Sequence, residues 1–310
     1  MRILQLDKNH PLIKQQLSEK GFVIDDDFSS TYAQLLDIIE PYEGIIIRSR
    51  VPMDRNFIQK AGNLKFIARV GAGLENIDLE ATAEFGVSVI SSPEGNRDAV
   101  AEHVLGMLLV LTNRLFVSAE EVKQGLWRRE ENRGDELTGK TFGIIGYGNM
   151  GKAVARRLSG FSLNAIFYDI KPDLGDAFAS AVNLDKLMGT ADIISLHIPL
   201  TEETHYLVDE DFINRMAKDF YLINASRGKN VKTKALVRGL KSGKIKGAAL
   251  DVLEFEKPSF EKLDSESDDL KYILQSEKVI VTPHIAGWTH QSKEKLAQVI
   301  VDKIVAEFAS

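Results

Sequence analysis

The chain has 310 residues, of which 44% are hydrophobic and 27% charged, with a formal net charge of −6 and no cysteine. That length accommodates two domains of ordinary size, and the composition is that of a folded globular protein. The acidic balance offers no basic surplus for nucleic acid or an anionic membrane, and the absence of cysteine excludes disulfides and thiol catalysis. The N-terminus lacks the apolar stretch of a signal peptide, and the most apolar run, Val104 to Leu111, is too short to span a bilayer. A soluble cytoplasmic protein with no nucleic-acid or membrane partner is expected.

In chain order, short apolar runs alternate with helical stretches. Ile3–Leu6, Phe22–Ile24, Gly44–Ile47, Phe66–Val70 and Val87–Ile90 read as strands. Pro11–Glu19, Tyr32–Ile39, Asp54–Ala61 and Asp78–Glu84 read as the helices between them. Regular alternation of this kind predicts a parallel sheet covered by helices on both faces. Ser91 to Asn96 is the first plausible hinge, and one long helix is predicted from Asp98 to about Val122. Its apolar surface exceeds one face, so it is expected to be buried between domains, between subunits, or both. A polar connection, Gly125 to Gly134, follows.

The alternation then resumes. Strands are predicted at Phe142–Ile145, Ala165–Tyr168, Asp192–His197, Phe220–Asn224, Gly247–Asp251 and Val279–Thr282. Asp169, His197, Asn224, Asp251 and the Pro283-His284 corner fall at strand ends, where open parallel sheets bind ligands. Glu261 to Asp269 reads as a solvated acidic loop, and a last helix runs from about His290 to Phe308.

The strand Phe142–Ile145 leads into Gly146-x-Gly148-x-x-Gly151 and then a helix-forming stretch. In this context the glycines permit a tight turn, close approach of a pyrophosphate, and close packing of helix on strand. The helix N-terminus offers N–H groups and a positive dipole end to phosphates. The next strand ends in Asp169, 18 residues beyond Gly151, near the spacing of about 20 expected of a ribose-binding carboxylate.

Three later motifs carry candidate chemistry. Arg227, in Asn224-Ala225-Ser226-Arg227-Gly228, is suited to gripping a carboxylate through paired charge-assisted bonds. Asp251, Glu254 and Glu256 follow one strand, as solvated acidic loops also do. His284 lies at a strand end, a position suited to acid–base work near neutral pH. His197 also ends a strand, so spacing by itself does not single out His284.

Taken together, the chain resembles the D-isomer-specific 2-hydroxyacid dehydrogenases, and within them the phosphoglycerate dehydrogenase branch. The resemblance runs through Leu64–Asp78, Ala99–His103, Gly146–Gly151, His197–Thr204, Asn224–Gly228, Ala249–Val252 and Thr282–Gly287. It implies an α/β protein of two doubly wound parallel-sheet domains with a cleft between them. One would be a flavodoxin-like substrate domain, residues 1–96 plus 288–310; the other a Rossmann NAD domain, residues 97–287.

The resemblance further implies a catalytic triad of Arg227, Glu256 and His284, with NAD as cofactor and no metal. Glu256 lies five residues past Asp251, where the family places its acid, but Lys257 intervenes before Pro258, so Glu254 is a lesser candidate. Cofactor contacts are implied at Gly146, Gly148, Asn149, Met150, Gly151, Asp169, His197, Pro199, Thr204, Ala225, Asp251 and Gly287. Asp169 would disfavour a 2′-phosphate, while Lys171 nearby moderates that preference. Substrate contacts are implied at Arg48, Ser49, Ala72, Gly73 and Asn96, and Arg48 and Arg50 are both candidates for a phosphate.

The expected reaction is hydride transfer between a small 2-hydroxy acid and NAD, with 3-phosphoglycerate, a serine-biosynthesis substrate, foremost. Glyoxylate or hydroxypyruvate reduction is the alternative. Corepressors built on the same scaffold, which sense NAD(H), are an alternative of another class. A homodimer is expected through the long helix and Trp127-Arg128-Arg129. The chain ends soon after its last helix, so no regulatory domain is expected.

Overall fold

Gly44-Ile45-Ile46-Ile47 is buried at every position in a computed structural model of the chain, which describes residues 1–256 and 267–309. Burial on both faces is what a central strand of a parallel sheet requires. The elements in order are β1 (Arg2–Gln5), α1 (Leu12–Glu19), β2 (Val23–Asp26), α2 (Tyr32–Ile38), β3 (Gly44–Ile47), α3 (Arg55–Lys60), β4 (Phe66–Arg69), α4 (Leu79–Glu84) and β5 (Ser88–Ser91). Then come α5 (Pro93–Thr112), α6 (Leu115–Lys123), β6 (Thr141–Ile145), α7 (Asn149–Leu158), β7 (Asn164–Tyr168), β8 (Ser180–Ala181), α8 (Leu184–Thr190) and β9 (Ile193–Leu196). The chain continues through α9 (Glu210–Arg215), β10 (Phe220–Asn224), a 3-10 turn (Gly228–Asn230), α10 (Thr233–Ser242), β11 (Ile245–Leu250), α11 (Asp268–Gln275), β12 (Val279–Val281) and α12 (His290–Phe308).

The chain forms two units, Met1–Arg97 with Trp288–Ser310, and Asp98–Gly287. Among the described residues, unit 1 holds a five-stranded parallel sheet in the order β2-β1-β3-β4-β5, the flavodoxin-like arrangement. Successive residues point to opposite faces. Ile45 and Ile67 join a cluster with Leu35 and Phe57, while Ile46 and Phe66 join one with Ile13 and Leu17. Leu296, Ala297, Ile300, Val301 and Ile304 of α12 recur at helical spacing and complete that second cluster. The last helix therefore belongs to the core of unit 1.

Unit 2 holds, among the described residues, a seven-stranded parallel sheet in the order β12-β11-β10-β9-β6-β7-β8. Counted from β6 outward this is the dinucleotide-binding order, with one strand added at the β12 edge. The order reverses between β6 and β9, which pair directly through Ile145 and Leu196. Ligands bind at such a reversal because the loops on its two sides diverge to opposite faces.

The helix predicted from Asp98 to Val122 proves to be two. α5 starts at Pro93, inside the expected hinge, with Pro93 in the first helical position where its missing N–H costs nothing. It stops at Thr112, Arg114 turns left-handed (φ 51°), and α6 leaves at a 60° bend. The carbonyl of Thr112, freed by the break, accepts from the N–H of Asp135 at 2.8 Å. Val100, Val104, Leu108 and Leu111 of α5 are buried in the unit 2 core, whereas α6 buries no residue and exposes Phe116 and Val122. No single helix among the described residues is long and apolar enough to cross a membrane.

The acidic loop also needs correction at its end. Asp268 and Asp269 form the first turn of α11, capped by Ser267 Oγ, which accepts from the N–H of Leu270 at 3.2 Å. Glu261 to Glu266 lie outside the described residues, as do Lys257 and Pro258. The two-residue β8 carries too little pattern to be read from the sequence.

Candidate active site and dinucleotide turn

The glycine turn sits at the sheet reversal, at the end of β6. Gly146 adopts φ 92°, and a Cβ there would lie 2.5 Å from the carbonyl oxygen of His197 at the end of β9. Only glycine combines this conformation with so close an approach. A Cβ on Gly151 would collide with the carbonyl of Gly146, so the first turn of α7 rests against the strand. Gly148, the exposed N-cap, has open space around its Cβ direction and no side-chain cap. No acidic residue stands in the first turn of α7. The N–H groups at Asn149, Met150 and Gly151 thus head a helix whose positive end no carboxylate caps.

Asp169 closes the far side of the turn. Its Oδ2 accepts from the N–H of Tyr147 at 2.7 Å and its Oδ1 from that of Lys171 at 2.8 Å. A carboxylate has lone pairs for further partners, so it can still take ribose hydroxyls. These residues fit a dinucleotide.

His197 is held differently. Its Nε2 lies 2.8 Å from Ser195 Oγ, and its Nδ1 is buried without a hydrogen-bond partner. Burial pushes its pKa down to about 4, so the ring is neutral near pH 7. Thr204 Oγ donates to the carbonyl of Pro199 at 2.7 Å, fixing the loop after His197.

At β10, Asn224 is fully buried. Its Nδ2 donates to the carbonyl of Arg227 at 2.9 Å and its Oδ1 accepts from Ser226 Oγ at 2.7 Å, setting the turn that carries Arg227. Ala225 in that turn is half-buried against the unit 2 core. Arg227 Nη1 donates to the carbonyl of Ser226 at 2.7 Å. A Cβ on Gly228 would collide with the carbonyl of Leu253, so the loops carrying Arg227 and Glu256 press together at this glycine.

Nδ1 of His284 lies 2.7 Å from Oε2 of Glu256, and Oε1 of Glu256 accepts from the N–H of Leu253 at 2.5 Å. Glu254 is occupied elsewhere: it accepts from the Tyr206 hydroxyl at 2.6 Å and from the N–H of Thr233 at 2.8 Å. Burial opposes ionisation of Glu254, but these bonds outweigh it and hold its pKa below the usual value. Tyr206 is pushed up to about 12 by its bond to that carboxylate and by burial.

Asp251, 1% exposed, organises the histidine corner. Its Oδ1 accepts from Thr282 Oγ at 2.6 Å and from the N–H of Ile285 at 2.9 Å; its Oδ2 accepts from the N–H of Ala286 at 2.8 Å. Its own carbonyl takes the N–H of His284 at 2.8 Å. His284 has φ 55°, an unfavourable conformation for a residue with a side chain, and these bonds hold it there. His103 Nε2 adds a contact to Thr282 Oγ at 3.0 Å. Spacing along the chain carries no signal that Thr282 and His103 meet at Asp251. Gly287 closes unit 2.

Arg48, Ser49, Ala72, Gly73 and Asn96 belong to unit 1. The N–H of Arg48 donates to Asp7 at 2.6 Å, and its guanidinium lies 4.8 Å over the Trp288 ring. Arg50, expected to be equally available, donates to the carbonyls of Leu6 at 2.7 Å, Ser30 at 2.5 Å and Asp27 at 2.9 Å. It is spent on structure. Ser49 and Ala72 are half-buried and Gly73 buried, and the loop before them is tied down where Gly71 N–H donates to Ser92 Oγ at 3.0 Å. Asn96, in the first turn of α5, has a buried Oδ1 with no hydrogen-bond partner.

Residues 105–286 match the D-isomer specific 2-hydroxyacid dehydrogenase, NAD binding domain. The chain is 34% identical over 275 residues to a hydroxypyruvate reductase from Thermotoga maritima, covering 88% of this chain and 87% of that protein. It is 33% identical over 292 residues to a D-3-phosphoglycerate dehydrogenase from Archaeoglobus fulgidus, covering 93% of this chain and about half, 54%, of the relative. The structure of a D-lactate dehydrogenase from Aquifex aeolicus complexed with NAD and lactic acid superposes with a TM-score of 0.84 at 30% identity, covering 99% of this chain and 96% of that one. This chain belongs to the D-isomer-specific 2-hydroxyacid dehydrogenase family, and is an NAD-dependent oxidoreductase.

Proposed function

We propose that the substrate is 3-phosphoglycerate, oxidised to 3-phosphohydroxypyruvate in serine biosynthesis. The observation that carries this reading is Arg48: its guanidinium stacks on Trp288 and forms no ion pair with a carboxylate among the described residues, while Arg50 is consumed by backbone carbonyls. Arg48 is then the group for the phosphate, with Ser49, Ala72, Gly73 and Asn96 as further substrate contacts. The relatives named D-3-phosphoglycerate dehydrogenase support it.

NAD, when bound, supplies hydride acceptance and donation at its nicotinamide. The N–H groups of Gly148 to Gly151 bind its pyrophosphate and Asp169 its ribose. His197, Pro199, Thr204, Ala225, Asp251 and Gly287 line the remainder. Arg227 grips the substrate carboxylate. The Glu256 carboxylate only accepts, so Nδ1 of His284 carries the hydrogen and Nε2 takes the hydroxyl proton in oxidation. Glu256 stabilises the imidazolium that results.

Hydroxypyruvate or glyoxylate reduction is the second reading. It is favoured by the hydroxypyruvate reductase to which this chain is 34% identical over 275 residues. Following NADH absorbance with 3-phosphoglycerate, glycerate, lactate, hydroxypyruvate and glyoxylate separates the two. A kcat/KM for 3-phosphoglycerate no higher than for the unphosphorylated acids rejects the first reading.

We also propose a cytoplasmic homodimer. The lack of cysteine fits a reducing compartment, and Phe116, Val122 and Trp127 form an exposed apolar set on and after α6. Light scattering that reads a monomer rejects the dimer.

A further inference from the structure

Tyr147 stands between the first two glycines of the turn, yet it is fully buried. Its N–H donates to Asp169 Oδ2 at 2.7 Å. Its ring lies parallel to Phe167, with centroids 3.8 Å apart and planes 9° from each other. Its hydroxyl donates to Asp176 Oδ1 at 2.7 Å, and the same oxygen accepts from the N–H of Phe178 at 2.8 Å. Burial and the Asp176 carboxylate raise the phenol well above its ordinary pKa, so it stays a neutral donor.

Residues 170–179 connect β7 to β8 without regular structure. Together with Asp169, Lys171, Leu174 and Val182 help to line a cavity of about 550 Å³, within the size range of small-molecule sites. One wall of the cavity is therefore a loop. Among the described residues, the hydrogen bond that ties this loop to the glycine turn is the one from Tyr147 to Asp176. A wall of this kind is shaped before binding only if something holds it, and ordering it on binding subtracts from affinity.

We propose that Tyr147 is a positioning residue for the adenosine half of the dinucleotide, bonding Asp169 and Asp176 at once and so holding the 170–179 loop as a preformed cavity wall. The proposal rests on the assignment of Asp169 to the adenosine ribose. Tyr147 acts through the two carboxylates and does not touch the cofactor with its side chain.

Calorimetric titration with NADH and with ADP-ribose tests it on wild type, Tyr147→Phe, Asp176→Ala, Asp176→Asn and the double variant Tyr147→Phe/Asp176→Ala. Tyr147→Phe keeps the ring on Phe167 and removes one hydrogen bond. The expected result is that Tyr147→Phe and Asp176→Ala each raise Kd about five- to tenfold for both ligands. The double variant is no weaker than either single one, Asp176→Asn, which keeps an acceptor oxygen, restores most of the affinity, and kcat at saturating NADH stays within about twofold. Additive losses in the double variant, or a loss for NADH without one for ADP-ribose, overturn the proposal. Asp169→Ala, titrated alongside, separates the two levels. Unchanged Kd in Tyr147→Phe with weakened binding in Asp169→Ala overturns the latch alone. Unchanged Kd in both overturns the ribose assignment and the latch with it.

Discussion

Nδ1 of His284 and Oε2 of Glu256 lie 2.7 Å apart, while Glu254, two residues before Glu256, bonds Tyr206 and the N–H of Thr233. The two acids of one loop thus differ in their partners. His284→Ala should lower turnover by about 10²–10⁴-fold, the range typical of a general acid–base group. Glu256→Gln keeps the shape but not the charge that favours an imidazolium, and should cost about 10- to 100-fold in kcat. Glu254→Gln should leave kcat within a few-fold. Steady-state kinetics on the three variants checks this, and a larger kcat loss in Glu254→Gln than in Glu256→Gln would reverse the assignment.

Asp251 is expected to act on the histidine through geometry. Its two oxygens hold Thr282 Oγ and the N–H groups of Ile285 and Ala286. Asp251→Asn places an NH₂ group against at least one of these donors, which leaves buried polar groups unpaired at a cost of about 1–3 kcal/mol each. Urea unfolding should register a loss of that order together with a fall in kcat. A variant as stable as wild type would show that the corner does not depend on this carboxylate.

Asp169 should set the choice of dinucleotide. Its carboxylate would repel a 2′-phosphate and can accept from ribose hydroxyls. Asp169→Ala should raise the KM for NADH and narrow the preference over NADPH by about tenfold or more. An unchanged ratio of kcat/KM values for the two cofactors would remove Asp169 from the ribose.

His197 should make the protein sensitive to acid. Its folded pKa, about 4, lies below the ordinary value of 6.5. The unfolded chain therefore binds the proton first, so stability is complete above about pH 6.5 and is lost as pH falls towards 4. The maximum contribution is about 3 kcal/mol. Thermal melts of wild type and His197→Asn from pH 7.5 to 4.5 should show a shallower decline in the variant. Parallel declines would place the acid sensitivity elsewhere.

Much of the framework was legible because it depends on local pattern. The alternation of apolar runs with helical stretches, the turn from Phe142 to Gly151 and the polar residues at strand ends all follow from periodicity and glycine placement along the chain. The break between α5 and α6 was not legible, since Thr112, Asn113 and Arg114 carry no strong stop signal. The Thr112 carbonyl that the break frees is taken by the N–H of Asp135, more than twenty residues on, a partner that no local pattern announces. Nor could the sequence distinguish Arg48 from Arg50, because the carbonyls of Leu6, Asp27 and Ser30 that occupy Arg50 come from other parts of the chain.

The sequence by itself thus determined the alternation of strands and helices and the dinucleotide turn, which rest on spacing between near neighbours, while the family was legible as a resemblance carried by seven motifs between Leu64 and Gly287. Only the tertiary structure decided which partner each polar group takes. Asp251 commits its oxygens to the corner around His284, Glu254 goes to Tyr206, and Tyr147 reaches Asp176 across a loop with no regular structure. The reason is physical. A hydrogen bond is settled by distances of about 3 Å, and residues tens of positions apart come to that range only once the sheet has set their loops side by side.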